Sequence, residues 1–218
     1  SAHESATFEA TRERFSAVFN EFGLPRIIRM DNGSPFAAIR AMHRLSRFGV
    51  WLLKLGILPN RMDPASPNQN GRHERFHRDI KRELQVDPAE DRETEQKRFD
   101  VWREEFNFLR PHEALNGDTP MQHYKKSPRR FVENTAFEYP ADFSLRKVSD
   151  SGGFYWKNTN VQFTYSMAGE YIGIEDTGDE DLKVWFYDWC LGTLKRDGER
   201  FCPSQTLQRG SLGRRITI

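Results

Sequence analysis

The 218-residue sequence predicts an α/β region followed by a small all-β unit. Up to about residue 115, short runs that predict strands alternate with segments whose apolar residues recur at helical spacing. Strand, helix, strand and helix joined by short connections indicate parallel strands in an α/β layer. From residue 142 onward, short alternating or aromatic runs are separated by Gly, Asp and Asn turns. That second pattern is typical of a closed or nearly closed barrel.

Helical periodicity recurs along the first region. Between Ser5 and Phe22, five apolar residues recur at helical spacing, and Gly23-Leu24-Pro25 ends this helix. Ser66 and Pro67 suit the N-cap and first position of a later helix. The expected helices are Ser5 to Phe22, about Phe36 to Leu55 before Gly56, Pro67 to about Gln85, and Asp91 to Leu109 before Arg110-Pro111.

Two short runs in the same region predict strands, Arg26 to Asp31 and Ile57 to Met62. Asn32-Gly33 is a turn signal, so Asp31 is expected at the carboxyl end of its strand. In the all-β region the expected strands are Ser144 to Val148, Gly153 to Lys157, Val161 to Tyr165, Tyr171 to Glu175, Leu182 to Tyr187 and Cys190 to Lys195. The expected domains are an α/β domain at 1–115, a linker at 116–141, a β-barrel domain at 142–205 and a basic tail at 206–218.

The composition restricts the setting in which the protein is expected to act. No apolar run approaches the ~18 residues of a membrane span, and the N-terminus lacks the layout of a signal peptide, so we expect a cytoplasmic protein. Cys190 and Cys202 are then ordinary thiols.

The charged residues are unevenly distributed along the chain, although the net charge is only +1. A basic cluster contains Arg72, Arg75, Arg78, Lys81 and Arg82, and an acidic cluster contains Glu170, Glu175, Asp176, Asp179, Glu180 and Asp181.

The string His73-Glu74-Arg75-Phe76-His77 matches the H-E-x-x-H pattern of zinc peptidases. In a helical projection Phe76, Ile80 and Leu84 form the buried stripe, and Glu74 points away from it on a basic face. A zinc peptidase helix instead directs its histidines into a cleft and needs a third ligand, which nothing nearby supplies. Zinc peptidase chemistry is therefore the remote alternative.

A second interpretation treats Glu74 as a carboxylate for a harder metal. Asp31 at a strand end and Glu74 on a helix, both near a basic surface, fit a two-metal site for phosphoryl transfer. An acid among phosphate-binding cations is unfavourable unless a divalent metal neutralises it. The structural alternative is that Asp31 opens a turn and Glu74 is a solvated helix residue.

Four motifs follow one another along the chain: Ile28 to Phe36 (IRMDNGSPF), Ser66 to Arg75 (SPNQNGRHER), Asp79 to Glu83 (DIKRE) and Arg110 to Leu115 (RPHEAL). This succession resembles the integrase core of bacterial insertion-sequence transposases, which belong to the retroviral-integrase-like D,D,E superfamily. The run Ala168 to Gly173 is similar to the C-terminal β module of one subgroup.

The resemblance implies a function and a set of site residues. The function is DNA transposition or integration, in which a polynucleotidyl transferase processes 3′ ends and transfers strands with Mg²⁺ or Mn²⁺. Asp31 and Glu74 correspond to the second and third metal-binding, catalytic acids. The implied DNA-binding residues are Asn70, Arg72, His73, Arg75, Arg78 and Lys81. Arg110-Pro111-His112 is interpreted as mainly structural, although His112 could reach DNA. The implied partners are element ends, target DNA and further copies of the chain in a bacterial cytoplasm.

One departure from the family pattern affects the expected activity. The first family aspartate lies on an early strand of an RNase H-like sheet, and no aspartate occurs between Ser1 and Met30. We therefore expect a partial RNase H-like core, weak metal binding and a truncated, catalytically incomplete form. A non-catalytic DNA-binding fragment is the alternative. Two parallel strands without their neighbours would leave an open edge that favours self-association, and the acidic side of the β unit favours protein contact.

Overall fold

The computed structural model describes residues 7–30, 42–61, 71–84, 89–133 and 135–217. In these residues the helices are α1 (Phe8–Phe22), α2 (Arg47–Lys54), α3 (Gly71–Leu84), α4 (Arg92–Glu104) and α5 (Pro120–His123). The strands are β1 (Ile27–Met30), β2 (Leu58–Arg61), β3 (Thr135–Glu138), β4 (Ser144–Lys147), β5 (Gly153–Trp156), β6 (Thr159–Gln162), β7 (Tyr171–Glu175), β8 (Asp181–Phe186), β9 (Trp189–Lys195), β10 (Phe201–Arg209) and β11 (Arg214–Thr217).

The helix ends follow capping chemistry. The Thr7 hydroxyl accepts a hydrogen bond from the Ala10 amide at 3.2 Å and begins α1. The Ser46 hydroxyl does the same for α2, so the expected start near Phe36 is wrong for the described residues 42–46. α2 ends in a Schellman motif, in which the Ile57 amide donates to Leu52 and the Gly56 amide to Leu53. The expected start of α3 at Pro67 lies outside the described residues.

The predicted helix from Asp91 to Leu109 consists of an α-helix followed by a π-helical segment. Asp91 caps α4 by accepting a hydrogen bond from the Thr94 amide at 2.8 Å. Beyond α4, residues Glu105–Leu109 continue as a π-helical segment, and the helical region ends before Arg110-Pro111 as expected.

The chain forms two compact units, one from Ser1–Met62 and Ser127–Ile218, the other from Asp63–Lys126. This grouping crosses the expected domain borders, because α2 shares a core with the β region. Leu45, Val50 and Leu53 join the buried residues of the sheet, and the indole N–H of Trp189 donates to the Leu53 carbonyl at 3.1 Å. The opposite side of α2 packs against α1 in a second core.

The described strands of the first region form a parallel pair, as expected. β1 pairs with β2 in a register that joins Ile27 to Leu58 and Met30 to Arg61. Met30 is buried, whereas the Ile27 side chain is 53 % exposed. One face of this pair therefore packs on the second core and the other meets solvent.

The all-β region is an antiparallel sheet with strand order β10-β9-β8-β7-β4, accompanied by the pairs β5–β6 and β3–β11. Among the described pairings this sheet ends at β4 on one side and at β10 on the other. Within the predicted basic tail, Arg214–Thr217 forms β11 and pairs with β3. Tail pairing depends on a partner strand about eighty residues earlier, which local pattern does not reveal.

A segment inside the expected linker, around Arg129, joins the ends of α1 and α2. The Arg129 guanidinium donates to the carbonyls of Pro25, Leu55 and Gly56 at 2.6, 2.7 and 3.0 Å. Gly23 has φ +78°, and a Cβ there would lie 2.6 Å from the Ser127 carbonyl oxygen. A glycine is thus required at the end of α1 for both conformation and close approach.

Candidate nucleic-acid interface

Helix α3 carries most of the predicted site residues that the structure describes. Glu74 lies in its first turn and is exposed, as are Arg75, Arg78 and Lys81. Glu74, Arg78 and Lys81 fall within an arc of roughly 60° at helical spacing. Phe76 and Ile80 are partly buried and Leu84 is buried, so the predicted apolar stripe is confirmed. The helix therefore presents one acid among cations on its open side.

The three acids of α3 have different surroundings. Asp79 pairs with Arg82 at 3.6 Å, and Glu83 is enclosed by several donors. Among the described side chains, Glu74 has no ion-pair partner. It is thus the acid of α3 whose carboxylate remains available to an external cation.

Glu83 joins α3 to the segment that follows α4. Its Oε2 accepts hydrogen bonds from Arg110 at 2.6 Å and from the Trp102 indole at 2.8 Å, and its Oε1 accepts from Arg82 at 3.1 Å. The bonds from Arg110 and Trp102 lower the pKa of Glu83 from 4.5 to about 2. The same carboxylate raises the pKa of Arg110, which also donates to Glu105 at 3.0 Å. We call Glu83, Trp102 and Arg110 the α3–α4 junction.

Aromatic rings fill the space beside the α3–α4 junction. Trp102 stacks on Phe106 with ring centroids 4.9 Å apart and meets Phe76 edge-on at 5.6 Å. The His112 ring stands edge-on to Phe106 at 4.7 Å, and its buried Nε2 has no hydrogen-bond partner within the described part of the chain. The Arg110-Pro111-His112 motif therefore packs and pairs within its own unit, which agrees with its structural interpretation.

Sequence reasoning missed the α3–α4 junction. The motifs Asp79 to Glu83 and Arg110 to Leu115 do not by themselves indicate that Glu83 pairs with Arg110. The signal that could have joined them was the position of Glu83 on the same side of the helix as the stripe residues Phe76 and Ile80, where an unpaired acid is costly.

The other predicted DNA-binding and metal-binding side chains lie outside the part of the chain that the structure describes. Asp31 and Asn70 lie outside the described residues, as do the side chains of Arg72 and His73. The part of the chain that is described contains no group of three His, Cys, Asp or Glu residues able to hold a metal ion. Of the expected ligands the described part contains Glu74, an oxygen donor of the kind that Mg²⁺ and Mn²⁺ prefer. Of the two histidines in the H-E-x-x-H pattern, the side chain of His77 is described. It is exposed, and its ring centroid lies 6.1 Å from that of Phe76.

Two further observations bear on the sequence-based expectations. In the described residues, no helix combines the length and apolar character needed to cross a membrane. Cys190 and Cys202 are free, as expected, and burial raises the pKa of the Cys190 thiol.

Comparison with known proteins connects this chain to mobile DNA elements. Residues 55–120 match the family described as Integrase core domain. An insertion element IS136 uncharacterized protein from Agrobacterium fabrum (strain C58 / ATCC 33970) is 30 % identical over 115 residues, covering 52 % of this chain and 54 % of the relative. The counterpart from Agrobacterium tumefaciens (strain T37) gives the same values. The chain thus spans about half the length of these curated relatives.

A solved structure matches over more of the chain but less closely. It is a chain from the cryoEM structure of the simian T-cell lymphotropic virus intasome in complex with PP2A regulatory subunit B56 gamma. The match covers 97 % of this chain and 67 % of the other, at 15 % identity and a TM-score of 0.44. Three of the four sequence motifs lie within residues 55–120. The recognition made from those motifs is confirmed: the chain is related to insertion-sequence transposases of the integrase superfamily.

Proposed function

We propose that this chain acts in DNA transposition or integration, with the exposed side of α3 as its DNA-facing surface. The observation that carries the proposal is that Glu74 lies beside cations and has no ion-pair partner among the side chains that the structure describes. Asp79 and Glu83 are paired on the same helix, whereas Glu74 shares an exposed face with Arg78 and Lys81. The similarity to insertion-element proteins supports the same function.

Electrostatics give each group on this surface a role. Arg75, Arg78 and Lys81 bind backbone phosphates, since closely spaced cations neutralise adjacent negative charges. A carboxylate in that field repels phosphate, so Glu74 contributes to binding when a divalent cation lies between them. Asp31 and Glu74 would hold such a cation, and Mg²⁺ or Mn²⁺ there would activate a nucleophile and stabilise the leaving oxygen.

The proposed core is a partial RNase H-like sheet that includes β1 and β2. Two matching carboxylates provide fewer ligands than the three of the D,D,E pattern, so we expect the 218 residues alone to bind metal weakly and to transfer strands poorly. Among the described pairings β1 and β2 have no other strand beside them, and such open edges support association with further copies of the chain. Such a protein would work in a bacterial cytoplasm, on element ends and target DNA.

DNA binding tests the proposed surface directly. The affinity of the chain for a labelled duplex should fall steeply with salt, with a log–log slope of about 0.9 per phosphate contact. Arg78→Ala and Lys81→Ala should each weaken binding and reduce that slope by about 0.9. Lys97→Ala, at an exposed position paired with Glu93 on α4, is the matched control and should change neither quantity. Unaltered slopes for both α3 variants would exclude this surface.

The metal role of Glu74 is tested in the same assay. In EDTA, Glu74→Gln should bind DNA more tightly than the unsubstituted chain, because it removes a repelling charge. Mn²⁺ should then strengthen binding by the unsubstituted chain but not by Glu74→Gln, whereas Glu93→Gln should respond to Mn²⁺ normally. An equal Mn²⁺ response in all three proteins would show that Glu74 holds no metal.

Three further outcomes distinguish the alternatives. Robust strand transfer by the 218 residues, abolished by Glu74→Gln, would contradict the proposed catalytic incompleteness. DNA binding with neither Mn²⁺ response nor strand transfer would support the non-catalytic DNA-binding fragment. Stoichiometric zinc lost on His77→Ala would revive the zinc peptidase.

A further inference from the structure

We infer that Glu83 and Arg110 are positioning residues. Through the α3–α4 junction they fix the rotation of α3 about its own axis, and so keep its DNA-facing side exposed. The inference rests on the proposed DNA-binding function of that side. Glu83 lies nine residues after Glu74, and this spacing places the two acids roughly 180° apart around the helix. An attachment at Glu83 therefore holds the back of α3, about 13 Å along the axis from Glu74.

The contacts of the α3–α4 junction converge on one carboxylate group from several directions. Arg110 and Trp102 both donate to Oε2 of Glu83, and the Trp102 indole is fixed because that residue is only 6 % exposed. Arg110 is held in turn by Glu105 and lies 5.7 Å from the centre of the Trp102 ring. Since each partner is restrained by another contact, rotation of α3 about its axis would break several bonds together.

Burial distinguishes this pair from the ordinary surface pairs of the same unit. The side chains of Arg110 and Glu83 are 30 % and 23 % exposed, whereas those of Lys97 and Glu93 are 72 % and 80 % exposed. Exposed pairs are screened by water and contribute little to stability. The Glu83–Arg110 pair is less exposed and joins α3 to the segment after α4, so it can restrain the helix.

The guanidinium of Arg110 is already occupied by carboxylates of this chain, which argues against a role in phosphate binding. Its guanidinium donates to Glu83 at 2.6 Å and to Glu105 at 3.0 and 3.1 Å. A direct phosphate contact adds to the salt dependence of DNA binding, whereas a positioning residue changes affinity without changing the number of phosphates neutralised. The salt slope therefore separates the two roles.

The test compares Glu83→Gln, Arg110→Gln and the double variant in the full chain, with Glu93→Gln as the matched control. DNA affinity is measured at 10 °C, where circular dichroism establishes that each protein is folded. The single variants should bind a labelled duplex about three- to tenfold more weakly with an unchanged salt slope, and the double variant should be no weaker than either one. Hydrogen exchange of α3 should accelerate in all three variants but not in the control.

Several outcomes would overturn the inference. Variants with a lower melting temperature but unchanged affinity would show that the α3–α4 junction only stabilises the fold. A slope reduced by about 0.9 in Arg110→Gln would make Arg110 a phosphate contact. Trp102→Phe offers a milder variant if Glu83→Gln fails to fold, and it should weaken binding in the same direction. If the unsubstituted chain binds no DNA, the proposed function itself is wrong and this inference falls with it.

Discussion

Glu74 and Glu83 show how one residue type acquires two roles on one helix. Glu74 is exposed and has no ion-pair partner among the described side chains, whereas Glu83 is fixed by Arg110 and Trp102. The difference comes from the helix face. A carboxylate on the packed face must find donors to offset its desolvation, while one on the open face remains available to a ligand.

The lowered pKa of Glu83 makes a prediction about acid stability. Because the pKa falls from 4.5 to about 2 on folding, the stability that Glu83 contributes is present above pH 4.5 and is lost as the pH falls towards 2. The free energy of unfolding should therefore decrease less between pH 6 and pH 3 in Glu83→Gln than in the unsubstituted chain.

Urea unfolding followed by circular dichroism at each pH measures this difference. Glu93→Gln is the control, since its exposed partner Lys97 should add little, and it should follow the unsubstituted chain. Equal pH dependence in Glu83→Gln and the unsubstituted chain would show that the Glu83 carboxylate is not stabilised by its partners.

At the scale of elements, α2 is the centre of the larger unit. Its residues 48–53 are all buried, because the β sheet covers one side and α1 covers another. A helix that is apolar around its whole circumference is a buried helix. The Schellman motif at the end of α2 does not provide donors for the carbonyls of Leu55 and Gly56. Arg129 donates hydrogen bonds to both and so stabilises the end of the helix.

Replacing Arg129 should therefore destabilise the unit as a whole. Arg129→Met leaves the carbonyls of Pro25, Leu55 and Gly56 without their charged donor, and it should lower the free energy of unfolding by about 2–3 kcal/mol. Urea unfolding monitored by tryptophan fluorescence measures the change. Arg130→Met alters an exposed neighbour and should stay within about 0.5 kcal/mol of the unsubstituted chain. If both substitutions changed the free energy of unfolding equally, the hydrogen bonds of Arg129 would not be what stabilises this unit.

At the scale of the whole molecule, apolar burial is unevenly divided between the two units. Among the described residues of Asp63–Lys126, the buried hydrophobic residues are Leu84 and Trp102. The other unit contains two cores with phenylalanine, tryptophan, leucine and isoleucine side chains. Since burial of apolar surface is the main stabilising term, the unit with α3 should open more easily.

Native-state hydrogen exchange measures this difference. Amides of α3 and α4 should open at a lower free energy than those of β8 and β9, which lie next to each other in the middle of the five-stranded sheet. The control is the pair β5–β6, whose amides should not exceed the protection of β8 and β9. Protection of α3 equal to that of the central strands would contradict the expected order.

Local pattern was sufficient for most of the elements. The spacing of Phe8, Phe15 and Phe19 predicted α1, and the alternation of short strands with helices predicted the parallel pair β1–β2. It failed where the outcome depended on distant partners. The sequence placed the start of the second helix too early, and it left β11 unassigned because its partner β3 lies far away along the chain.

The sequence by itself determined the motifs that relate this chain to insertion-sequence transposases, the apolar stripe of α3 and the face on which Glu74 lies. These features depend on residue identity and helical spacing, which are local. Only the tertiary structure decided that Glu83 pairs with Arg110, that α2 joins the β sheet in one core, and that the tail forms a strand. Those outcomes require residues far apart in sequence to meet, and they are selected by the desolvation of charges and the packing of side chains rather than by local preference.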